Sequence, residues 1–147
     1  MKLLAKIIII IAVFVAGFYF GGQQALSPSD GSPEAIQQAQ DEIQVSLMLD
    51  FGNGQVRTYN GVTLPKDSTV FALLEKITTE NDFKLDYKDY GELGVFIESV
   101  GDIVNDVEGD RFWQYWVNNV YAEVGASNYQ LIDGDVVEWK FLRGQIN

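Results

Sequence analysis

Cysteine and histidine are both absent from the chain. Without cysteine there is no disulfide, no thiolate metal site and no thiol nucleophile. Without histidine, the commonest general base near neutral pH and the commonest transition-metal ligand are gone. Catalysis would fall to carboxylates, Ser/Thr, Tyr or Lys, so a non-enzymatic role is expected. No phosphate-cradling glycine loop is present either: Gly52-Asn-Gly54 lies between two strand-like runs rather than ahead of a helix.

Basic residues are also few. Lys2 and Lys6 stand in an acid-free N-terminus, so the rest of the chain carries all 21 acids against 8 bases, a net −13. Such a surface repels nucleic acid and anionic headgroups. It favours solubility, and beyond that a cation or a cationic partner.

What is present begins with one long apolar run. Residues Leu3 to Phe20 read LLAKIIIIIAVFVAGFYF. The uninterrupted part, Ile7 to Phe20, would cover about 21 Å as a helix at ~1.5 Å per residue. That is short for a hydrocarbon core of ~30 Å. Leu3, Leu4 and Ala5 extend it if Lys6 snorkels back, and Phe18, Tyr19 and Phe20 suit the far interface. The lysines place the N-terminus inside and the remainder outside. A cleaved signal peptide is the rival, but the −3 residues available past the run, Phe20 and Gln23, are poor ones. The expectation is a signal anchor over 1–21, crossing the membrane with residues 3–20, with Gly17 and Gly21 as a GxxxG that would let two helices approach. Residues 22–41, rich in Gln, Ser, Pro and Gly, read as a polar tether. The domain occupies 42–147.

Within the domain, Ile43, Val45, Leu47 and Leu49 alternate with more polar neighbours, as in a half-buried strand. Phe51-Gly-Asn-Gly54 is a hairpin signal, with a return strand over 55–62. Asp67 or Ser68 would cap a helix whose stripe is Val70, Leu73, Leu74 and Ile77, ending before Asn81. A loop holding Tyr87 and Tyr90 leads to a strand at 95–100. Further strands follow at 111–117, 120–124 and about 137–141. The fold class is therefore α+β: a mainly antiparallel, β-grasp-like sheet with one principal helix, preceded by a single transmembrane helix.

Two segments invite a functional reading. The acidic run Asp102, Asn105, Asp106, Glu108, Asp110 offers oxygen ligands for a cation, but Arg111 stands where an EF-hand glycine would be, so a solvated turn competes. Carboxylate pairs for glycoside hydrolysis depend on a spatial separation that sequence does not give. The stronger lead is Arg111 to Val117 (RFWQYWV). As a strand it sets Phe112, Gln114 and Trp116 on one face and Trp113, Tyr115 and Val117 on the other. One helix covers only one face, leaving rings and polar handles for a flat ligand or a partner surface.

The block Phe112-Trp113-Gln114, Val124-Gly-Ala-Ser-Asn-Tyr129 and Asp133-Gly134-Asp135 before the closing strand, with Asp67-Ser-Thr-Val70 opening the helix, resembles the C-terminal β-domain of transcobalamin and intrinsic factor. It equally resembles the bacterial domains of unknown function named after that domain. The resemblance spans roughly 43–142. It implies a corrinoid (cobalamin) as ligand, contacted by Gln114 and Tyr115 and by Ala122, Glu123 and Val124. With Trp113 from the aromatic strand, these are the candidate binding residues. The large helical domain that holds most of the ligand in those carriers has no counterpart here. The resulting expectation is a membrane-tethered extracytoplasmic binding module. The alternatives are a surface module whose partner is another protein and a carboxylate-dependent hydrolase.

Overall fold

A computed structural model describes residues 41–144. The expected anchor, its GxxxG and the tether up to residue 40 lie outside the described residues. Among the described residues no helix is long and apolar enough to cross a membrane.

The first strand, β1 (Glu42–Asp50), buries its alternate residues Ile43, Val45, Leu47 and Leu49, as their spacing predicts. The chain reverses through residues 51–55, where Gly52 and Gly54 adopt positive φ (66° and 90°), and Asn53 Oδ1 accepts from the Gln55 N–H. The return strand β2 (Val56–Pro65) runs three residues further than the alternation suggested. It is largely exposed and forms one edge of the sheet.

Helix α1 (Val70–Glu80) presents Val70, Leu73, Leu74 and Ile77 to the core. Its cap is Thr69, whose side chain accepts from the Ala72 N–H, rather than Asp67 or Ser68. Asp67 has a positive φ and Ser68 Oγ donates back to the Pro65 carbonyl, so both belong to the preceding turn. The segment expected as a loop around Tyr87 is a strand, β3 (Leu85–Asp89), missed because its alternation rests on two residues alone, Leu85 and Tyr87. After a short 3₁₀ turn, β4 (Val95–Val100) and β5 (Ile103–Val104) follow. The aromatic strand is β6 (Arg111–Val117). Asn118 and Asn119, both at positive φ, turn it into β7 (Val120–Tyr121), which stops well short of Val124. The closing strand is β8 (Val136–Arg143).

The strands form two sheets: five strands in the order β2-β1-β8-β6-β7, and three in the order β3-β4-β5. The larger sheet is mixed, because β1 and β8, first and last in sequence, pair in parallel at its centre while its other pairs are antiparallel. The other pairs agree with the mainly antiparallel expectation, and this parallel pair is the exception to it. No local signal marks it, since the partners are separated by the whole domain. The helix-facing side of β1, β8 and β6 packs on α1 in one core, joined by Val95, Ile97 and Val100 of β4.

Candidate functional site

Strand β6 pairs with β8 along its full length, from Arg111↔Arg143 to Val117↔Val137. On its other side, β7 covers only Trp116 and Val117. The earlier half of β6 thus faces a gap across which lies β4. An open cleft of about 680 Å³ occupies that gap. One wall is Tyr90 to Ile97, the other Phe112 to Tyr115, and the segment Tyr121–Ala126 closes one end. All six residues singled out from the sequence line it: Trp113, Gln114, Tyr115, Ala122, Glu123 and Val124.

The way they line it differs from expectation. The sequence left open which face of the aromatic strand the helix would cover, with Trp113 and Tyr115 among the candidate contacts. They are buried, at 3 % and 6 % exposure, because their face is the one α1 covers. Trp113 Nε1 donates to the Ile103 carbonyl, and the Tyr115 hydroxyl donates to the Val124 carbonyl at 2.7 Å. The Tyr115 ring lies 4.9 Å from that of Trp139. Burial raises the Tyr115 phenol above its ordinary pKa, with smaller contributions from Tyr129 and Tyr121. The opposite face, Phe112, Gln114 and Trp116, is half-buried. There Lys140 Nζ sits 4.8 Å from the Trp116 ring centre, and Gln114 Nε2 donates to the carbonyls of Leu142 and Arg143.

The apolar character of the cleft comes from its rim. Tyr90, Leu93, Phe96, Tyr121 and Val124 are all exposed large hydrophobic side chains on this one feature. Such a contiguous patch on a soluble surface ordinarily marks a binding site. Sequence reasoning missed the whole β4 wall, since Leu93 and Phe96 carry no periodic or motif signal.

Two devices hold the walls. The loops at 91–95 and 123–128 are locked together: Ser127 Oγ accepts from the Val95 N–H, Asn128 Nδ2 donates to the Glu92 carbonyl, and Gly125 packs against Gly94. At the other end Asn105 spans the gap. Its Nδ2 donates to the Ile97 carbonyl of β4 at 2.8 Å, and its Oδ1 accepts from the Trp113 N–H of β6 at 2.9 Å. Asn105 was considered as part of an acidic cation site. Among the described residues no three carboxylates converge, and Asp106 instead accepts from the Gly109 N–H within its own turn. Among the described residues Glu123 is the single carboxylate lining the cleft. Glu123 has no ion-pair partner among the described residues.

A mixed sheet packed on one helix, with a small second antiparallel sheet and an open apolar cleft between them, defines a sheet-rich α+β domain. The chain belongs to the family described as a domain of unknown function (DUF4430), which matches residues 67–143. No curated protein matches the sequence. Among solved structures, a candidate metal-binding protein from Ruminococcus gnavus is similar over 70 % of this chain and 99 % of its own, at 17 % identity and a TM-score of 0.54. Haptocorrin in complex with cobinamide is similar over 70 % of this chain at 19 % identity and a TM-score of 0.57. The match covers 26 % of haptocorrin. At these identities the likeness is one of fold.

Proposed function

We propose that the protein is a non-enzymatic binding module, held at the outer face of a membrane by its N-terminal apolar segment, that takes a flat ligand in the β4–β6 cleft. A corrinoid is the first candidate. The observation that carries this reading is the convergence of six residues, nominated from sequence, on one open cleft with an apolar rim. The likeness to haptocorrin, a protein seen with cobinamide bound, adds support. Because this chain corresponds to about a quarter of haptocorrin, the cleft would cover one side of such a ligand and leave the other to a second surface. The lack of histidine and cysteine argues against catalysis. The topology rests on Lys2, Lys6 and the apolar run behind them.

Calorimetric titration with cobinamide tests the ligand. Saturable binding weakened at least fivefold by Tyr121→Ala is expected; no heat at ~1 mM ligand, where binding energies fall to about −4 kcal/mol, defeats the corrinoid reading. Protease added to intact cells should digest the domain if it lies outside. The second reading, a surface module for a protein partner, is favoured by the same exposed rim.

A further inference from the structure

Adjacent β6 residues present their backbone groups to opposite sides. Gly144 donates to Asp110 and Asn118 donates to Val136, so the even-numbered residues bond toward β8. Residues 111, 113, 115 and 117 therefore bond away from β8, Val117 toward β7 and the residues before it toward the cleft side. Most of those outward groups are used. Arg111 exchanges both its bonds with Asp106, the Trp113 N–H is taken by Asn105 Oδ1, and the Tyr115 carbonyl accepts from the Ala122 N–H. Two consecutive groups remain: the Trp113 carbonyl and the Tyr115 N–H have no partner among the described residues. A buried or half-buried backbone group without a partner costs free energy comparable to a lost hydrogen bond.

An acceptor and a donor placed in this order are what a parallel strand satisfies with one residue, whose N–H donates to the first and whose carbonyl accepts from the second. Asn105 already behaves in this way one step along, its side-chain amide standing between β4 and β6 where a peptide group would stand. Trp139 lines the same cleft. Its Nε1 is the buried side-chain polar atom that lacks a partner among the described residues.

The geometry points to an extended polypeptide segment as a ligand of this cleft, one residue pairing with the Trp113 carbonyl and the Tyr115 N–H. This rests on the reading that the cleft is a binding site and names a class of partner for it. The pairing is short, because Asn105 and Ala122 occupy the ladder on either side. Specificity then comes from side chains seated on the rim at Leu93, Phe96, Tyr121 and Val124. The unpaired carboxylate of Glu123 and the surrounding net negative charge select apolar segments flanked by Lys or Arg. A cleft open to solvent lets the rest of the partner chain leave at both ends.

The test uses acetylated, amidated pentapeptides, Lys-X-X-X-Lys, with X drawn from Leu, Val, Phe and Tyr, against the full chain in detergent. Binding tighter than ~1 mM is expected for a subset. For the best of them, replacing each backbone amide in turn by an ester should weaken binding about tenfold at one link, the strength of one hydrogen bond. Hydrogen exchange at the Tyr115 N–H should slow on binding, and Glu123→Lys should weaken the lysine-flanked set. Silence across the array overturns the proposal, as does an ester scan with no sensitive link. Cobinamide runs alongside: its binding with silent peptides sinks the polypeptide and spares the flat ligand, the reverse result does the opposite, and when both bind they must compete.

Discussion

The hydroxyl of Tyr115, in the middle of β6, reaches nine residues along the chain to donate to the carbonyl of Val124 at 2.7 Å. The resemblance to the transcobalamin β-domain implies both residues as ligand contacts. The structure makes one of them the peg that holds the other at the mouth of the cleft. Tyr115→Phe removes this bond while keeping the ring on Trp139. The expected cost is about 1 kcal/mol, a fall in Tm of roughly 4–8 °C for a domain this size. Faster amide exchange confined to residues 122–126 would accompany it. Unchanged exchange there would show that the bond does not restrain the loop.

The same hydroxyl gives the domain an alkaline limit. Burial raises the Tyr115 pKa in the folded state, whereas in the unfolded chain the phenol ionises near its ordinary value of 10.0. The neutral form is therefore favoured by folding. Its contribution is complete below about pH 10 and is lost as pH climbs toward the folded-state value. In an ultraviolet titration one tyrosine should ionise later than the others, and Tyr115→Phe should abolish that late step.

Gly125 has no room for a side chain. A Cβ there would lie 2.8 Å from Gly94 Cα and closer still to the Leu93 carbonyl oxygen. Gly125→Ala must push the two loops apart at a cost of about 1–3 kcal/mol. Its effect on cobinamide or peptide affinity should exceed its effect on Tm, because the loops rim the cleft. A variant with wild-type Tm and wild-type binding would contradict the close packing.

Two buried tryptophans differ by a single bond. Trp113 Nε1 donates to the Ile103 carbonyl, while Trp139 Nε1 has no partner among the described residues. Trp→Phe shortens each ring by a similar amount. Chemical denaturation should show Trp113→Phe costing about 1 kcal/mol more than Trp139→Phe. Equal losses would mean that Trp139 has an acceptor after all.

Local pattern carried most of the element assignment. The alternation at 43–49, the stripe of α1 and the turns at Gly52-Asn-Gly54 and Asn118-Asn119 were legible because each is decided by neighbours in sequence. β3 was not, since it is five residues long and its alternation rests on Leu85 and Tyr87 alone. The parallel β1–β8 pair was not, since nothing near Leu47 announces Val137. The site divided similarly. Composition around residue 113 pointed to a strand that lines the cleft, but which face α1 would cover is a question of register. The outcome buried Trp113 and Tyr115 and left their backbone, rather than their rings, with unused bonding capacity. Asn105 was read for its oxygen alone; its role as a two-sided bridge needs the distance between β4 and β6.

The pairing of the first strand with the last has a mechanical meaning. Tension applied through residue 42 and residue 143 would pull β1 and β8 lengthwise in opposite directions. Five consecutive register positions, Ser46↔Val136 to Asp50↔Lys140, would then bear the load together instead of opening one after another. A domain wired this way yields abruptly and at high force.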